Sequence, residues 1–329
     1  MGKPIIGITM GDAAGVGPEI IVNALQRPEI LEHCLPVVIG DLKAIERAKT
    51  VLHYSFNVTI LVSRIQKMEI PILDLNLLPD EWSLGKVSAT CGNAAYHYVE
   101  KAVQLALNGD IDAICTAPLN KEALHLGGHV YPGHTEIIAT LTDTDDFSMM
   151  LSSPKLNVMH VTTHMGLIDA IQRITPERVL TTIELAHQTL KAMDISSPRI
   201  GVCGINPHAG ENGLFGYGEE EEKIEPAIKK AKAVGINAVG PLPADTLFYL
   251  AQRGDYDAVI AMYHDQGHAP IKVLGIDDGV NITIGLPIIR TSVDHGTAFD
   301  IAGKNLADEQ SMVQALLTAI TLANTKSHK

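Results

Sequence analysis

The chain has 329 residues, of which 46% are apolar and 4% aromatic, and its formal net charge is −13 at pH 7. This length and apolar content predict a globular protein of two domains with aliphatic cores. The negative charge argues against nucleic acid or an anionic membrane as the partner, so local cations would have to hold any anionic substrate.

The amino terminus and the cysteines both indicate a cytoplasmic protein. Residues Pro4–Met10 form only a short apolar stretch, which is typical of a first β-strand and not of a signal peptide or a membrane span. The cysteines are widely spaced and form no Cys-x-x-Cys pair, so we expect buried thiols in a reducing compartment. They are Cys34, Cys91, Cys115 and Cys203.

Short runs rich in Val, Ile and Ala alternate with helix-like stretches along the chain. Strands are predicted at Pro4–Met10, Leu35–Ile39, Val58–Val62, Ile111–Thr116, Leu156–Thr163, Arg199–Ile205, Ala258–Met262 and Val280–Ile284. Helices are predicted at Ala94–Leu107, Pro176–Met193, Glu219–Val234 and Glu309–Asn324. This alternation predicts an α/β fold of mostly parallel sheets. The acidic run at 219–222 is interpreted as a helix start that complements the helix dipole.

Three of the predicted strands end in a polar loop that carries a histidine, namely His164, His208 and His264. A parallel sheet gathers functional groups beyond the carboxyl ends of its strands, so these imidazoles could meet on one divalent metal ion. The alternative is a set of unrelated, hydrogen-bonded loop residues. His268 follows His264 by four residues, but the intervening residues and Pro270 predict that no helix forms there.

Other residues are suited to binding an anion. Pro132–Glu136 opens a helix in which Thr135 is a candidate N-cap and His134 stands beside it. Lys272, Asn281 and Arg290 follow at intervals of nine residues and could hold phosphate or carboxylate, although each cation could equally form a surface salt bridge. The glycine-rich turn at 11–19 has neither dinucleotide-fingerprint nor Walker spacing, so it is either a tight turn or an anion site.

These segments resemble the 4-hydroxythreonine-4-phosphate dehydrogenase family over essentially the whole chain. The matching motifs are Gly-His-Thr-Glu at 133–136, Thr-Thr-His at 162–164, Asn-Pro-His-Ala-Gly-Glu at 206–211, Pro-Leu-Pro-Ala-Asp-Thr at 241–246, Met-Tyr-His-Asp-Gln-Gly at 262–267 and Arg-Thr-Ser-Val-Asp-His-Gly-Thr-Ala at 290–298. The resemblance implies an isocitrate/isopropylmalate dehydrogenase-like fold: two α/β domains with an inter-domain active-site cleft. It also implies a homodimer in which the active site is completed across the interface.

We expect the first domain to be discontinuous, comprising residues 1–125 and 270–329 on the cofactor side. Residues 126–269 would form the second domain, with the metal site and the dimer contacts.

The resemblance implies roles for individual residues. His164, His208 and His264 would bind the metal, and His134, Thr135, Lys272, Asn281 and Arg290 would contact the phosphorylated substrate. The loop at 294–304 resembles the cofactor loop of isopropylmalate dehydrogenases, so His295, Gly296, Thr297, Ala298 and Asp300 are expected to contact NAD.

Two departures distinguish the chain from members that serve vitamin B6 synthesis. It has Asp-Ala-Ala-Gly at 12–15 where they carry Glu-Pro-Ala-Gly, and it has His-Ala-Pro at 268–270, which they lack. Both features resemble the sister branch that acts on D-threonate and D-erythronate 4-phosphate.

The predicted activity is the NAD-dependent, metal-dependent oxidation of the C3 hydroxyl of a 4-phosphorylated four-carbon acid, followed by decarboxylation to dihydroxyacetone phosphate. The metal could be Zn, Mg, Mn, Co or Ni. Asp245 and Asp265 are candidates for the general base or for orienting the metal-bound histidines.

Two alternatives are weighed against this prediction. One is 4-hydroxy-L-threonine-4-phosphate dehydrogenase activity, and the other is a metal-dependent hydrolase that uses the same histidines to activate water. The cofactor-like loop argues against the hydrolase. A non-catalytic binding protein would leave the metal site unexplained.

Overall fold

The computed structural model describes residues 2–60, 69–274 and 279–326. Its strands are β1 (Ile5–Thr9), β2 (Leu35–Gly40), β3 (Asn57–Ile60), β4 (Glu69–Asp74), β5 (Ala113–Thr116), β6 (Ser148–Ser153), β7 (Leu156–His160), β8 (Ile200–Cys203), β9 (Ala238–Leu242), β10 (Ala258–Ala261), β11 (Val280–Ile284) and β12 (Ile289–Val293). Its α-helices are α1 (Gly17–Ala24), α2 (Pro28–His33), α3 (Leu42–Val51), α4 (Ala89–Asn108), α5 (Lys121–Leu126), α6 (His134–Leu141), α7 (Leu167–Arg173), α8 (Pro176–Ala192), α9 (Glu225–Ala233), α10 (Ala244–Gln252), α11 (His264–Leu274) and α12 (Gln310–Lys326). The α/β prediction is confirmed.

The chain forms two compact units. The first comprises Met1–Asp145 and Leu286–Lys329, and the second comprises Asp146–Gly285. These divisions lie further along the chain than the predicted ones after residues 125 and 269. The reason is local packing, because α5 and α6 pack against α4 of the first unit and the pairing of β6 with β7 begins the second.

The sheet of the first unit is parallel throughout, in the order β3-β4-β2-β1-β5-β12. Its central strands are buried on both faces, which explains their continuous apolar sequences. Helix α4 covers them and is well delimited, since Ser88 Oγ accepts the Cys91 N–H and Gly109 ends the helix in the left-handed conformation (φ 78°). The carboxyl ends of β1, β5 and β12 carry Thr9, Thr116 and Ser292.

The sheet of the second unit has the order β11-β6-β7-β10-β8-β9. Strand β6 runs antiparallel to both β11 and β7, and the remaining pairs are parallel. Its core includes Leu151, Val158, Leu247, Val259 and Ile271, all almost fully buried. The ends of β7, β8 and β10 therefore lead into the loops that carry the predicted metal ligands.

The predicted strands and helices are largely recovered, with small shifts at their ends. The predicted strand at 58–62 corresponds to β3, and its last two residues lie outside the described residues. Strands β4, β6, β9 and β12 were not predicted, because polar residues or a proline interrupt their apolar pattern. All four cysteines are buried and free, as predicted. Over the same described ranges, no helix is both long and apolar enough to cross a membrane.

Candidate functional site

Two of the predicted metal ligands lie together in the second unit. His164 follows β7 and His264 begins α11 after β10, and their ring centroids are 5.5 Å apart. Both line a pocket of about 320 Å³ with Met165, Tyr263 and Asp265. The Asp265 carboxylate lies 2.7 Å from His264 Nδ1. This contact leaves Nε2 of His264 to face a ligand, as in carboxylate–histidine–metal arrangements.

The third predicted ligand, His208, follows β8 in a short 3-10 turn at Pro207–Gly210. Its Nδ1 lies 2.9 Å from Glu211 Oε2, and this hydrogen bond, helped by the negative charges of Glu211 and Asp245, raises the pKa of His208. Asp245 lies in the first turn of α10 and accepts the Thr246 N–H at 2.9 Å. His208 therefore has the same carboxylate partnership as His264, with its side chain exposed.

The donor chemistry of these histidines fits a divalent metal, since a carboxylate on Nδ1 fixes the tautomer that presents Nε2 to the ion. Nevertheless, His164, His208 and His264 do not form one ligand group in the part of the chain that the structure describes. Within the residues described for this chain, no group of three or more His, Cys, Asp or Glu side chains could hold a metal ion.

Two further histidines, His268 and His160, connect His264 to the buried core of the second unit. His268 lies one turn along α11, with its ring stacked on that of His264 at 3.7 Å. Its Nδ1 lies 3.1 Å from Nε2 of the fully buried His160 at the end of β7. Burial, together with neighbouring imidazoles, lowers the pKa of His160 to about 3 and that of His268 to about 4. Both rings are thus neutral at physiological pH.

The prediction that no helix follows His264 is wrong, because α11 spans His264–Leu274 with Pro270 inside it. Tertiary contacts outweigh the local breakers. Gln266 Oε1 accepts the Met262 N–H at 2.7 Å, and its Nε2 donates to Gly204 O at 2.7 Å. Gly267 is required by packing, since a Cβ there would lie 2.3 Å from His160 Nε2. Gln266 thereby links the loop after β8 to the loop after β10.

Lys272 and Asn281, the other predicted substrate contacts in this unit, lie on α11 and β11. Lys272 is exposed, and its charge contributes to the lowered pKa of His268. Asn281 Nδ2 is 3.2 Å from Met149 Sδ, and its Oδ1 is buried with no hydrogen-bond partner in the described residues. That oxygen could accept a ligand hydroxyl.

In the first unit, Arg290 and His134 form a second candidate site. Arg290 on β12 is buried and donates from Nη2 to Thr116 Oγ1 at 2.8 Å. Burial lowers the pKa of Arg290 to about 10, so the side chain stays charged. The His134 pKa lies well below 6.5, first through burial and then through the Arg290 charge. His134 Nε2 is buried, and the described residues offer it no hydrogen-bond partner.

Helix α6 begins at His134, two residues earlier than an N-cap at Thr135 would require. Gly133 is the N-cap and makes no side-chain capping bond, so Thr135 is not a cap but a member of the first turn. The prediction of Thr135 as the N-cap is therefore wrong. Because α6 begins at His134, both His134 and Thr135 lie in its first turn, where the free N–H groups of a helix start attract an anion.

The predicted cofactor loop after β12 is tied to the turn after β1. Thr297 O accepts the Val16 N–H at 3.0 Å, and a Cβ on Gly15 would lie 2.7 Å from that same oxygen. The buried Glu19 carboxylate accepts the N–H groups of Gly303 (2.6 Å) and Asn305 (3.1 Å). The glycine-rich turn thus serves as a brace for the 294–304 loop.

Within that loop, the predicted cofactor residues differ in exposure. Thr297 is nearly buried and Ala298 adopts a positive φ of 43°. His295 is exposed, with Nδ1 2.9 Å from Gly296 O. Asp300 O accepts a hydrogen bond from Lys304 Nζ at 2.7 Å, which closes the turn.

Asp12 is a buried carboxyl group that sequence reasoning missed. Its Oδ1 accepts the Ala14 N–H at 2.9 Å, and its Oδ2 has no partner within the described residues. Burial raises the pKa of Asp12 from 3.8 to about 6. An acid inside an otherwise apolar, glycine-rich segment was the available signal, and the same signal applied to Glu19.

Comparison with known proteins gives a consistent result. The family described as "Pyridoxal phosphate biosynthetic protein PdxA" matches residues 32–319. A D-threonate 4-phosphate dehydrogenase from Cupriavidus necator is 58% identical over 328 residues, covering 98% of each chain. A 4-hydroxythreonine-4-phosphate dehydrogenase from Geobacter metallireducens is 46% identical, covering 98% of this chain and 97% of the relative.

A crystal structure of a 4-hydroxythreonine-4-phosphate dehydrogenase from Burkholderia phymatum superposes with a TM-score of 0.88 at 57% identity, covering 98% of this chain and 99% of the other. Fold and relatives together define an α/β enzyme of the oxidoreductase class. The chain belongs to the PdxA family.

Proposed function

We propose that the enzyme oxidises the C3 hydroxyl of a 4-phosphorylated four-carbon acid, D-threonate or D-erythronate 4-phosphate, with NAD as the hydride acceptor. The C3 carbon loses a hydride to NAD and a proton from its hydroxyl. The resulting β-keto acid loses its C1 carboxylate as CO₂ and takes up a proton at C2, which yields dihydroxyacetone phosphate. Support comes from the name of the Cupriavidus necator relative, a D-threonate 4-phosphate dehydrogenase that is 58% identical to this chain.

The observation that carries the proposal is the buried pair of Arg290 and His134. A buried guanidinium attracts an anion, and the planar donors of Arg290 match a dianionic phosphate. The neutral His134 ring would donate or accept a hydrogen bond without adding charge. Thr135 and the N–H groups at the start of α6 would complete the phosphate contacts. Lys272 and Asn281 would contact the remainder of the substrate.

His164, His208 and His264 would hold a divalent metal. Zinc, cobalt, nickel and manganese suit three imidazole donors, and magnesium would enter when substrate oxygens help to bind it. When bound, such an ion polarises a hydroxyl and stabilises developing negative charge on oxygen. The carboxylates of Asp265 and Glu211 would keep His264 and His208 in the tautomer with Nε2 available. Because the described residues of one chain offer no group of three such ligands, we propose a homodimer in which a second copy completes each site.

The proton of the C3 hydroxyl needs an acceptor, for which Asp245 and Asp265 are the candidates. Asp265 already lies 2.7 Å from His264 Nδ1, an arrangement suited to orienting that ring. Asp245 is exposed at the start of α10 and is near enough to His208 to raise its pKa. This contrast favours Asp245 as the general base.

We assign the NAD contact to His295, Gly296, Thr297, Ala298 and Asp300. The loop is braced at both ends, by Val16 on Thr297 O and by Glu19 on the Gly303 and Asn305 N–H groups. A braced loop can present its backbone to a ligand with little loss of conformational entropy.

The second candidate substrate is 4-hydroxy-L-threonine 4-phosphate, favoured by the name of the Geobacter metallireducens relative. It differs from the sugar acids in carrying an ammonium group at C2, and its product would be an aminoketone phosphate.

A direct assay separates these activities. Purified protein is incubated with NAD, a divalent metal and each of the three phosphorylated acids, and the reduced cofactor is followed by absorbance. We expect the highest kcat/KM with D-threonate or D-erythronate 4-phosphate. His208→Ala should lower both metal content and rate. Metal-dependent ester hydrolysis without cofactor reduction would contradict the proposal and favour the hydrolase.

A further inference from the structure

The acidic run at 219–222 does more than begin a helix. Glu220 is almost fully buried, although Glu221 and Glu222, the two residues that follow it, are exposed. Residues Glu220–Ile224 form a π-helical turn ahead of α9. π-turns are rare and occur often at functional sites, and the wider turn here accompanies a carboxylate that faces inward.

The Glu220 carboxylate is hydrogen-bonded to the segment that precedes His208. Its Oε1 accepts two backbone N–H groups, from Ile205 at 2.8 Å and from Asn206 at 2.7 Å. Its Oε2 accepts Asn206 Nδ2 at 2.9 Å, a donor that is shared with Glu219 Oε2 at 2.9 Å. In all of these bonds, the Glu220 carboxylate is the acceptor, and both of its oxygens are used.

The segment beyond Asn206 needs such an anchor. His208, Ala209, Gly210, Glu211 and Asn212 have successive φ values of 51°, 52°, 80°, 43° and 56°. Left-handed backbone is unfavourable for the four residues that carry a side chain, so surrounding contacts must hold the loop in this form. The residues packed against the loop also leave little space, since a Cβ on Gly210 would lie 3.0 Å from Glu220 Oε2.

We infer that Glu220 is a positioning residue for His208: its buried carboxylate holds the 205–206 backbone and thereby the strained turn that presents the imidazole. Glu220 contacts neither substrate nor metal in this role. The expected effect of Glu220 on metal affinity rests on the proposed metal function of His208. Its expected effect on the conformation of the 205–212 loop does not.

The variant Glu220→Gln tests this role, with Glu221→Gln as the matched control that makes the same charge change at an exposed position. The glutamine amide puts a donor where the wild type has only acceptors, so at least one N–H donor would face another donor. In metal-free protein, we expect faster hydrogen exchange at residues 205–212 in Glu220→Gln alone. In calorimetric titrations with Zn²⁺, we expect its affinity to fall by about tenfold or more.

Equal exchange in Glu220→Gln and Glu221→Gln would overturn the inference, and so would an unchanged Zn²⁺ affinity in a variant with altered exchange. Failure of wild-type protein to bind metal would refute the proposed metal function instead, while the exchange comparison would still decide whether Glu220 holds the loop. Should Glu220→Gln not fold, Glu220→Asp provides the test, because the shorter side chain keeps the charge but withdraws the carboxylate from the Ile205 and Asn206 N–H groups.

Discussion

Replacing Arg290 by methionine should weaken substrate binding without lowering the free energy of unfolding. Burial lowers the pKa of Arg290 from 12.5 to about 10. This difference corresponds to a net penalty of ~3 kcal/mol on the charged form, which the Glu136 charge reduces but does not cancel. Arg290→Met removes that penalty and loses the hydrogen bond to Thr116 Oγ1, whose net contribution is ~1 kcal/mol. We therefore expect the free energy of unfolding to stay constant or to rise by ~2 kcal/mol.

Substrate binding should respond in the opposite direction. Two charge-assisted hydrogen bonds to a phosphate contribute ~1.5–3 kcal/mol each. Their loss should lower kcat/KM by roughly a hundredfold or more. Urea unfolding of the ligand-free protein measures the first effect, and initial rates with D-threonate 4-phosphate measure the second.

Arg178→Met is the matched control, since burial also lowers the pKa of Arg178. The Arg178 guanidinium donates to Val161 O, Phe147 O and Ser148 Oγ at 2.8–3.0 Å. Leaving these acceptors without donors should destabilise the fold by several kcal/mol, at ~1–3 kcal/mol each, with little change in the kcat/KM of the folded enzyme. If Arg290→Met were destabilised like Arg178→Met and kept its kcat/KM, Arg290 would be a structural residue.

Three further predictions concern other parts of the molecule. The raised pKa of Asp12 means that the folded state binds the proton more tightly than the unfolded state, so stability falls as pH rises from about 4 to about 6. Asp12→Asn should thus exceed the wild type by up to ~3 kcal/mol at pH 7, and a gap that stayed constant down to pH 3 in urea titrations would contradict this. His268→Leu removes the ring stacked on His264, and we expect metal affinity to fall by about tenfold in calorimetry, whereas equal affinity would show that the stacking is dispensable. Glu19→Gln weakens the brace of the 294–304 loop, so the Kd for NAD should rise several-fold while the KM for the phosphorylated acid changes little.

Most of the fold could be predicted from periodicity and composition. Parallel strands such as β1 and β5 are buried on both faces, and this produces the apolar runs that indicate them. Strands with polar or proline-containing sequences, such as β6 and β9, gave no such pattern, because their place in the sheet depends on pairing with distant segments.

The candidate site was predictable to the extent that its residues follow strand ends or open a helix. His164 and His264 lie together because β7 and β10 are adjacent parallel strands. The supporting residues were not recognised. In the sequence, His160 lies inside an apolar run, Gln266 lies next to the helix-breaking Gly267, and Glu220 lies in an acidic run that resembles an ordinary helix start. Burial and hydrogen-bond partners distinguish them, and neither is a local property of the sequence.

Local patterns in the sequence are enough to predict the α/β class, the order of most elements and the types of residue at the candidate site. Buried parallel strands produce continuous apolar runs, and metal and phosphate sites require particular side chains after strands and at helix starts. Three other features depend on tertiary contacts: Glu220 is buried while Glu221 is exposed, α11 forms despite Pro270, and the described residues of one chain bring no three candidate ligands together for a metal ion. Each of these depends on contacts between segments far apart in the chain, which outweigh local propensity.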